Sequence, residues 1–324
     1  MNKILVTGAG GFIGSFLTER LAVDGFNVKA FIRYNSKNSW GWIDKSIVKK
    51  DIEIICGDIR DFDSVSKALE GCDTVFHLAA LIGIPYSYFS PLAYIKTNLE
   101  GTYNILEASR LNKLENVIIT STSEVYGTAQ YTPIDENHPL SSQSPYSASK
   151  IAADQLALSY YRCFGLPVKI ARPFNTYGPR QSARAVIPSI ILQLLNSRTE
   201  VQTGNLLPKR DFTFVDDTIS GFIEIYKSQK LFGEVTNIGM NRNISVRDLA
   251  DIIAGILNVE VEFQYEQERI RPGNSEVMNL LCNNDKILSN TTWNPQYDLK
   301  SGLIKTIEWF KQNLSYYKSE IYNI

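Results

Sequence analysis

The sequence predicts an α/β fold in which a doubly wound parallel sheet carries a smaller, mixed α/β cap. Three observations lead there. Short β-branched runs alternate with helical patterns through the first half, glycines follow the first strand directly, and the alternation loosens after Arg172. In order, Lys3–Thr7 reads as strand and Ile13–Asp24 as helix, with Phe16, Leu17, Leu21 and Ala22 on one face. Val28–Ile32 and Glu53–Cys56 read as strands, Phe62–Leu69 as helix, Thr74–Leu78 as strand and Leu92–Leu111 as one long helix. Asn116–Thr120, Tyr146–Phe164 and Lys169–Ala171 continue as strand, helix and strand. Such alternation requires right-handed crossovers and a parallel sheet covered on both faces. Beyond it, Pro173, Gly178, Pro179, Pro188, Gly204 and Pro208 punctuate shorter elements, as in a cap of loops and small helices, and Val235–Ile238 reads as a strand returning to the sheet.

Composition narrows the function. The 324 residues carry 33 Lys+Arg against 34 Asp+Glu, a formal net charge of −1, which argues against a nucleic-acid binder tracking phosphates. Only His77 and His138 are histidines, and Cys56, Cys72, Cys163 and Cys282 have neither metal-ligand nor C-x-x-C spacing. A metal site, a disulfide framework and a histidine triad are therefore not expected. The first apolar run is too short for a signal segment, and Ala185–Leu195 is broken by Pro188, Ser189 and Gln193, so no membrane association is expected. Unpaired cysteines point to the cytoplasm.

The loop Gly8-Ala9-Gly10-Gly11-Phe12-Ile13-Gly14 fits G-x-x-G-x-x-G. Gly8 permits a tight turn, Gly11 lets backbone approach a pyrophosphate, and Gly14 allows close helix–sheet packing, with the helix N-terminus facing the phosphates. That makes the sheet Rossmann-type. Asp58, after the third strand, reads either as acceptor for an adenine amino group or as a cap for the next helix. The second strand ends Phe31-Ile32-Arg33-Tyr34-Asn35-Ser36, without an acid for a ribose hydroxyl. Arg33 suits a 2′-phosphate, with Ser36 donating a hydrogen bond, so the expected cofactor is NAD(P), with NADP favoured. The expected dinucleotide domain is residues 1–172 plus about 212–240. The cap takes about 173–211 plus 241–324.

Tyr146 and Lys150 stand at i and i+4, one turn apart on one helix face. A phenol is a weak base until nearby positive charge favours its phenolate, and Lys150 with a nicotinamide would supply that charge. The loop Ser121-Thr122-Ser123-Glu124 lies at a strand's carboxyl end, where open parallel sheets place ligands. Thr122 is positioned to share a hydroxyl with Tyr146. Glu124 is more informative, because alcohol oxidation needs no second base, whereas a carboxylate can take a carbon-bound proton beside a new ketone.

TGAGGFIG, GDIRD, HLAA, STSEVYG, YSASK, RPFNTYGPRQ and RDFTFVDD resemble the extended short-chain dehydrogenase/reductases across nearly the whole chain. Within them the chain is similar to nucleotide-sugar 4,6-dehydratases. NSWGW, LAALIGIPYSY and the run from STSEVYG to YSASK resemble the branch acting on GDP- or UDP-linked N-acetylglucosamine in legionaminic acid biosynthesis. The resemblance implies internal redox. Tyr146 deprotonates the C4 hydroxyl as hydride leaves for the cofactor, Glu124 takes the C5 proton, the C6 hydroxyl departs as water, and hydride returns to C6. The cofactor is thus tightly bound and recycled. dTDP-glucose dehydratases usually carry Asp where this chain has Ser123, so either Ser123 relays the leaving-group proton or Glu124 serves twice. The resemblance also implies cofactor contacts from Phe12, Ile13, Ile59, Leu78, Ala79 and Ala80. On the substrate side it implies Asn175 near the diphosphate, Arg184 near the base, and Arg210 and Arg271 on phosphate. The apolar loop Ala80–Tyr88 is expected to receive an N-acetyl group, and the helices Leu92–Leu111 and Tyr146–Phe164 a homodimer partner in a four-helix interface. UDP-glucuronate decarboxylase and C4 epimerase are the alternative activities.

Overall fold

The computed structural model describes residues 2–196 and 200–318. Its strands, in chain order, are β1 (Lys3–Thr7), β2 (Asn27–Arg33), β3 (Ile52–Gly57), β4 (Thr74–His77), β5 (Asn116–Thr120) and β6 (Val168–Pro173). They continue as β7 (Asn175–Tyr177), β8 (Glu200–Thr203), β9 (Lys209–Phe214), β10 (Val235–Ile238), β11 (Asn243–Ser245) and β12 (Glu262–Tyr265). A seven-stranded sheet runs β10-β6-β5-β4-β1-β2-β3, parallel throughout. The strand order reverses beside β1, so the crevice between the ends of β1 and β4 is the place where ligands bind in such sheets.

The helices are α1 (Phe12–Val23), α2 (Phe62–Leu69), α3 (Ile84–Phe89), α4 (Pro91–Tyr94), α5 (Gly101–Leu111) and α6 (Pro145–Phe164). After them come α7 (Val186–Leu195), α8 (Val215–Lys227), α9 (Val246–Leu257), α10 (Asp285–Asn290) and α11 (Leu299–Gln312). The pleat of β1 shows how both faces are covered. Ile4 and Val6 join the apolar cluster of α1 and α8, whereas Leu5 joins that of α2, α5 and α6. Each such side chain, fully buried, contributes about 1.5–3 kcal/mol. The helix α6 is framed at both ends. Ser144 and Ser147 form a capping box around Pro145, and Gly165 closes the helix at φ 66°.

The long helix expected over Leu92–Leu111 is interrupted. α4 passes through a π-helical turn at Ile95–Glu100 before α5. Two packing demands explain the break. Asn98 turns its amide onto Leu81, accepting from its N–H at 2.8 Å and donating to its carbonyl at 3.0 Å, and also donates to Ser149 Oγ at 3.0 Å. Gly101 lies so close to Ile59 that a Cβ there would meet its Cδ1 at 2.7 Å. A widened turn lets the helix meet both contacts, and such turns cluster at functional sites.

The remaining strands form a three-stranded sheet, β11-β9-β7, and a parallel pair, β12-β8. With α7, α9 and α11 they share the apolar cluster on the α1 side of the main sheet. Among the described residues no helix is long and apolar enough to cross a membrane.

Candidate active site

The carboxyl ends of β1, β2, β3, β4, β5 and β6 open into one cleft of about 1660 Å³. That is more than a single drug-sized ligand needs, and enough for a dinucleotide and a second nucleotide side by side. Gly8, Gly11, Phe12, Ile13, Gly14, Arg33, Ser36, Asp58, Ile59, Leu78, Ala79 and Ala80 line one part. Thr122, Glu124, Tyr146 and Lys150 lie in the same cleft, as do Asn175, Arg184, Arg210 and Arg271. Ser123 is the exception, 3% exposed and outside the lining.

The glycine loop fits a pyrophosphate. Gly8 adopts φ 70°, and a Cβ on Gly14 would collide with the Gly8 carbonyl oxygen. Gly11 precedes α1 without a side-chain cap, leaving the first-turn N–H groups to a ligand. The last residue of the NSWGW segment clamps this loop. Trp42 donates its N–H to the Gly10 carbonyl at 3.0 Å, and its ring meets Trp309 edge-on at 5.4 Å. At the adenosine end, Asp61 and not Asp58 caps α2. Asp58 instead receives Arg60 at two oxygens, 2.9 and 2.5 Å, and that guanidinium holds its carboxyl below the usual range. Asn35 is consumed by its own turn, accepting from Lys37 and Ser39 N–H groups at 3.1 and 3.3 Å. Arg33, Ser36 and Lys37 line the cleft at the end of β2.

At the centre, Thr122 caps the short turn that carries Glu124, its hydroxyl accepting the Glu124 N–H at 3.3 Å. The same hydroxyl faces the Tyr146 phenol closely enough to favour its phenolate. Tyr146 is 7% exposed and meets Tyr94 edge-on, ring centroids 6.2 Å apart. The phenol does not show the lowering expected from Lys150. Burial pushes it well above its ordinary value, Thr122 pulls it down, and the Glu124 carboxylate pushes it up. Lys150 lies buried, its Nζ donating to the Thr120 carbonyl at 2.6 Å. Burial lowers its pKa against the raising influence of Asp154. Neither histidine enters the cleft lining. His77 is held between Thr7 and Thr102 hydroxyls, and burial drives it to about 3.

The arginines expected on phosphate converge on a residue the sequence reading missed. Glu276 lies 3.3 Å from Arg210 and 3.5 Å from Arg271. Burial lowers the Arg210 pKa, and the Glu124 and Glu276 carboxylates offset part of that. Asn175 Oδ1 is buried and has no hydrogen-bond partner among the described residues, as suits a group aimed at a ligand, whereas Arg271 Nη1 is ion-paired with Glu276. Arg184 sits at the mouth, its Nε donating to Ser182 Oγ at 3.2 Å. The apolar loop closes over this end. Leu81, Ile82, Ile84, Pro85 and Tyr86 line the cleft, and Tyr94 donates its hydroxyl to the Gly83 carbonyl. Glu276 and Asn98 were hidden for one reason: nothing in local spacing brings a residue across 66 or 17 positions to its partner.

Comparison with known proteins shows the family. The family model described as GDP-mannose 4,6 dehydratase matches residues 5–306. A putative UDP-glucose 4-epimerase of Methanocaldococcus jannaschii is 31% identical, over 96% of this chain and 99% of its own length. A dTDP-glucose 4,6-dehydratase of Streptomyces antibioticus is 30% identical, over 98% and 94%. The structure of DesIV, a dTDP-glucose 4,6-dehydratase from Streptomyces venezuelae with NAD and TYD bound, superposes with a TM-score of 0.87 at 26% identity. It covers 98% of this chain and 99% of that one. With the match spanning nearly the whole chain and the cleft assembled as the motifs require, the protein belongs to the GDP-mannose 4,6-dehydratase family of extended short-chain dehydrogenase/reductases, a group of nucleotide-sugar dehydratases and epimerases.

Proposed function

We propose that the protein is a hydro-lyase, a nucleotide-sugar 4,6-dehydratase acting on GDP- or UDP-linked N-acetylglucosamine. The observation that carries this reading is a carboxylate, Glu124, placed by Thr122 in the same cleft as the Tyr146 phenol. A bound nicotinamide dinucleotide supplies the hydride acceptor and donor. Tyr146 takes the proton of the C4 hydroxyl, with Thr122 holding that oxygen and Lys150 the adjacent ribose. Once C4 is a ketone, C5 is acidic, and Glu124 removes its proton as the C6 hydroxyl leaves. Because Ser123 lies outside the cleft lining, the reading assigns the leaving-group proton to Glu124. The apolar Leu81–Tyr86 loop supports an acetamido substituent, which buries a methyl group against it.

Arg33 and Ser36, with no acid at the end of β2, support NADP. The bound NAD in DesIV belongs to that relative. Residues about 173–211 and 241–324, of which 197–199 and 319–324 lie outside the described residues, serve with the arginines described above as the nucleotide-sugar cap. Exposed Phe89, Leu92, Ile95, Tyr103 and Phe164 support a homodimer through the α4–α5 and α6 helices. Four free cysteines support a reducing, cytoplasmic address.

C4 epimerisation is the second reading, favoured by the epimerase among the relatives and by the sufficiency of Tyr146 and Lys150 for it. Incubation with UDP- and GDP-linked N-acetylglucosamine, glucuronate and mannose, followed by product mass, tests both. Loss of one water supports dehydration. An unchanged mass supports epimerisation, and loss of carbon dioxide supports a UDP-glucuronate decarboxylase.

A further inference from the structure

Tyr146, Lys150 and Asp154 stand at successive turns of α6, on one face of the helix. The first two line the cleft, whereas Asp154 lies beneath it with no exposed surface. Its Oδ2 accepts the Ser121 hydroxyl at 2.5 Å and Arg172 Nη2 at 2.8 Å. Arg172, 2% exposed, donates to the Tyr126 hydroxyl at 2.7 Å and covers that ring at 4.7 Å. Tyr126 in turn donates to Asn237 Oδ1 at 2.8 Å. The second oxygen, Asp154 Oδ1, is buried and has no hydrogen-bond partner among the described residues.

A buried ion pair of this kind loses about as much in desolvation as it gains in attraction, so stability alone does not account for it. Its neighbours do. Lys150 is buried and its ammonium is hydrogen-bonded to one neutral carbonyl, Thr120, which does not balance a buried charge. The other groups around it are Tyr146 on the same helix, Glu124 on the turn after β5, His77 on β4, which burial keeps neutral, and Arg172 on β6. Lys150 and Arg172 carry two positive charges against the carboxylates of Asp154 and the half-buried Glu124, and of those two carboxylates Asp154 is the one with no exposed surface.

We propose that Asp154, locked in place by Arg172, is a positioning residue of the oxidation step, supplying the counter-charge that holds the Lys150 ammonium beneath the reacting phenol. The proposal rests on the Tyr146–Lys150 oxidation alone, a step common to dehydration, epimerisation and decarboxylation. Arg172 pairs with Asp154 Oδ2 and fixes its rotamer. Its reach through Tyr126 to Asn237 ties the redox helix to the far edge of the main sheet.

The test reads Lys150 directly and without any sugar. In the unaltered full-length protein, the ¹³Cε resonance of Lys150, assigned by its loss in Lys150→Met, should report a charged ammonium at neutral pH. A neutral amine there overturns the proposal whether or not any variant folds. In Asp154→Asn the midpoint should fall by about one pH unit, tenfold in the proton equilibrium, and Asp154→Glu should restore it. The alkaline limb of cofactor reduction by a nucleotide sugar should move down by the same amount. A purely structural role lowers the rate equally at every pH and leaves midpoint and limb where they were, and that result would also overturn the proposal. Since the midpoint needs no substrate, it stands or fails separately from the product masses that test the dehydratase reading.

Discussion

The carboxylate of Glu276 stands 3.3 Å from the guanidinium of Arg210, inside the cleft where a substrate diphosphate is proposed to bind. Arg271 approaches the same oxygen at 3.5 Å. The backbone around Glu276 is tied to the segment leading into α6. Gln143 Nε2 donates to the Asn274 carbonyl at 2.9 Å, and Ser275 Oγ donates to the Gln143 carbonyl at 2.6 Å, three residues before Tyr146. One strand of chain therefore links the arginines to the redox helix. In the free protein Glu276 offsets one of their two positive charges.

Replacing that carboxylate separates its two effects. Glu276→Gln should destabilise the free protein by about 2–4 kcal/mol, because Arg210 is left buried without its partner. The same change should enlarge the rise in melting temperature produced by UDP or GDP, since a diphosphate no longer competes with a carboxylate. Thermal melts with and without nucleotide measure both. An unchanged nucleotide-induced shift would remove Glu276 from the diphosphate site.

Thr122 holds the phenol down in pKa while burial and Glu124 push it up. A phenolate base works only above its pKa, so losing that hydroxyl moves the acid limb of activity to higher pH. Thr122→Val should shift the limb upward and reduce the rate at neutral pH about tenfold. The pH dependence of cofactor reduction checks it, and an unmoved acid limb contradicts the placement of Thr122.

Arg33 should decide between the two dinucleotides. Arg33→Ala is expected to weaken NADP binding about tenfold, through loss of one charge-assisted contact, and to leave NAD nearly unaffected. Fluorescence titration with each reduced cofactor measures the ratio. Equal losses for both would place the 2′-position elsewhere.

His77 gives a stability prediction. Its folded-state pKa, about 3, lies below the ordinary 6.5, so the folded protein disfavours the charged form. As pH falls below 6.5 the unfolded chain binds a proton that the folded chain refuses, and stability drops by about 1.4 kcal/mol per pH unit. Above 6.5 this contribution is constant. His77→Asn, which keeps a polar partner for Thr7, should flatten that part of the curve. Urea unfolding at pH 7 and pH 5 compares the two slopes.

Much of this was legible in the sequence, for physical reasons that differ by residue. The glycine loop is readable because Gly8 and Gly14 answer local demands, a positive φ and a close backbone approach. The Tyr146–Lys150 pair is readable because helical spacing fixes their shared face. The Leu92–Leu111 helix was read too simply, since its widened turn answers to Ile59 and Leu81, which lie elsewhere in the chain. Glu276 and Arg172 act through partners that only the fold brings near. The direction of the Tyr146 shift depends on burial, which spacing does not report.

The central claim is that Glu124 performs a step that oxidation alone does not need. Glu124→Gln measures it most directly. With a nucleotide-linked N-acetylglucosamine as substrate, mass spectrometry and reduced-cofactor absorbance are followed in one reaction. The variant should still reduce its cofactor through Tyr146 and should release no dehydrated sugar. Water loss at the unaltered rate would contradict the account.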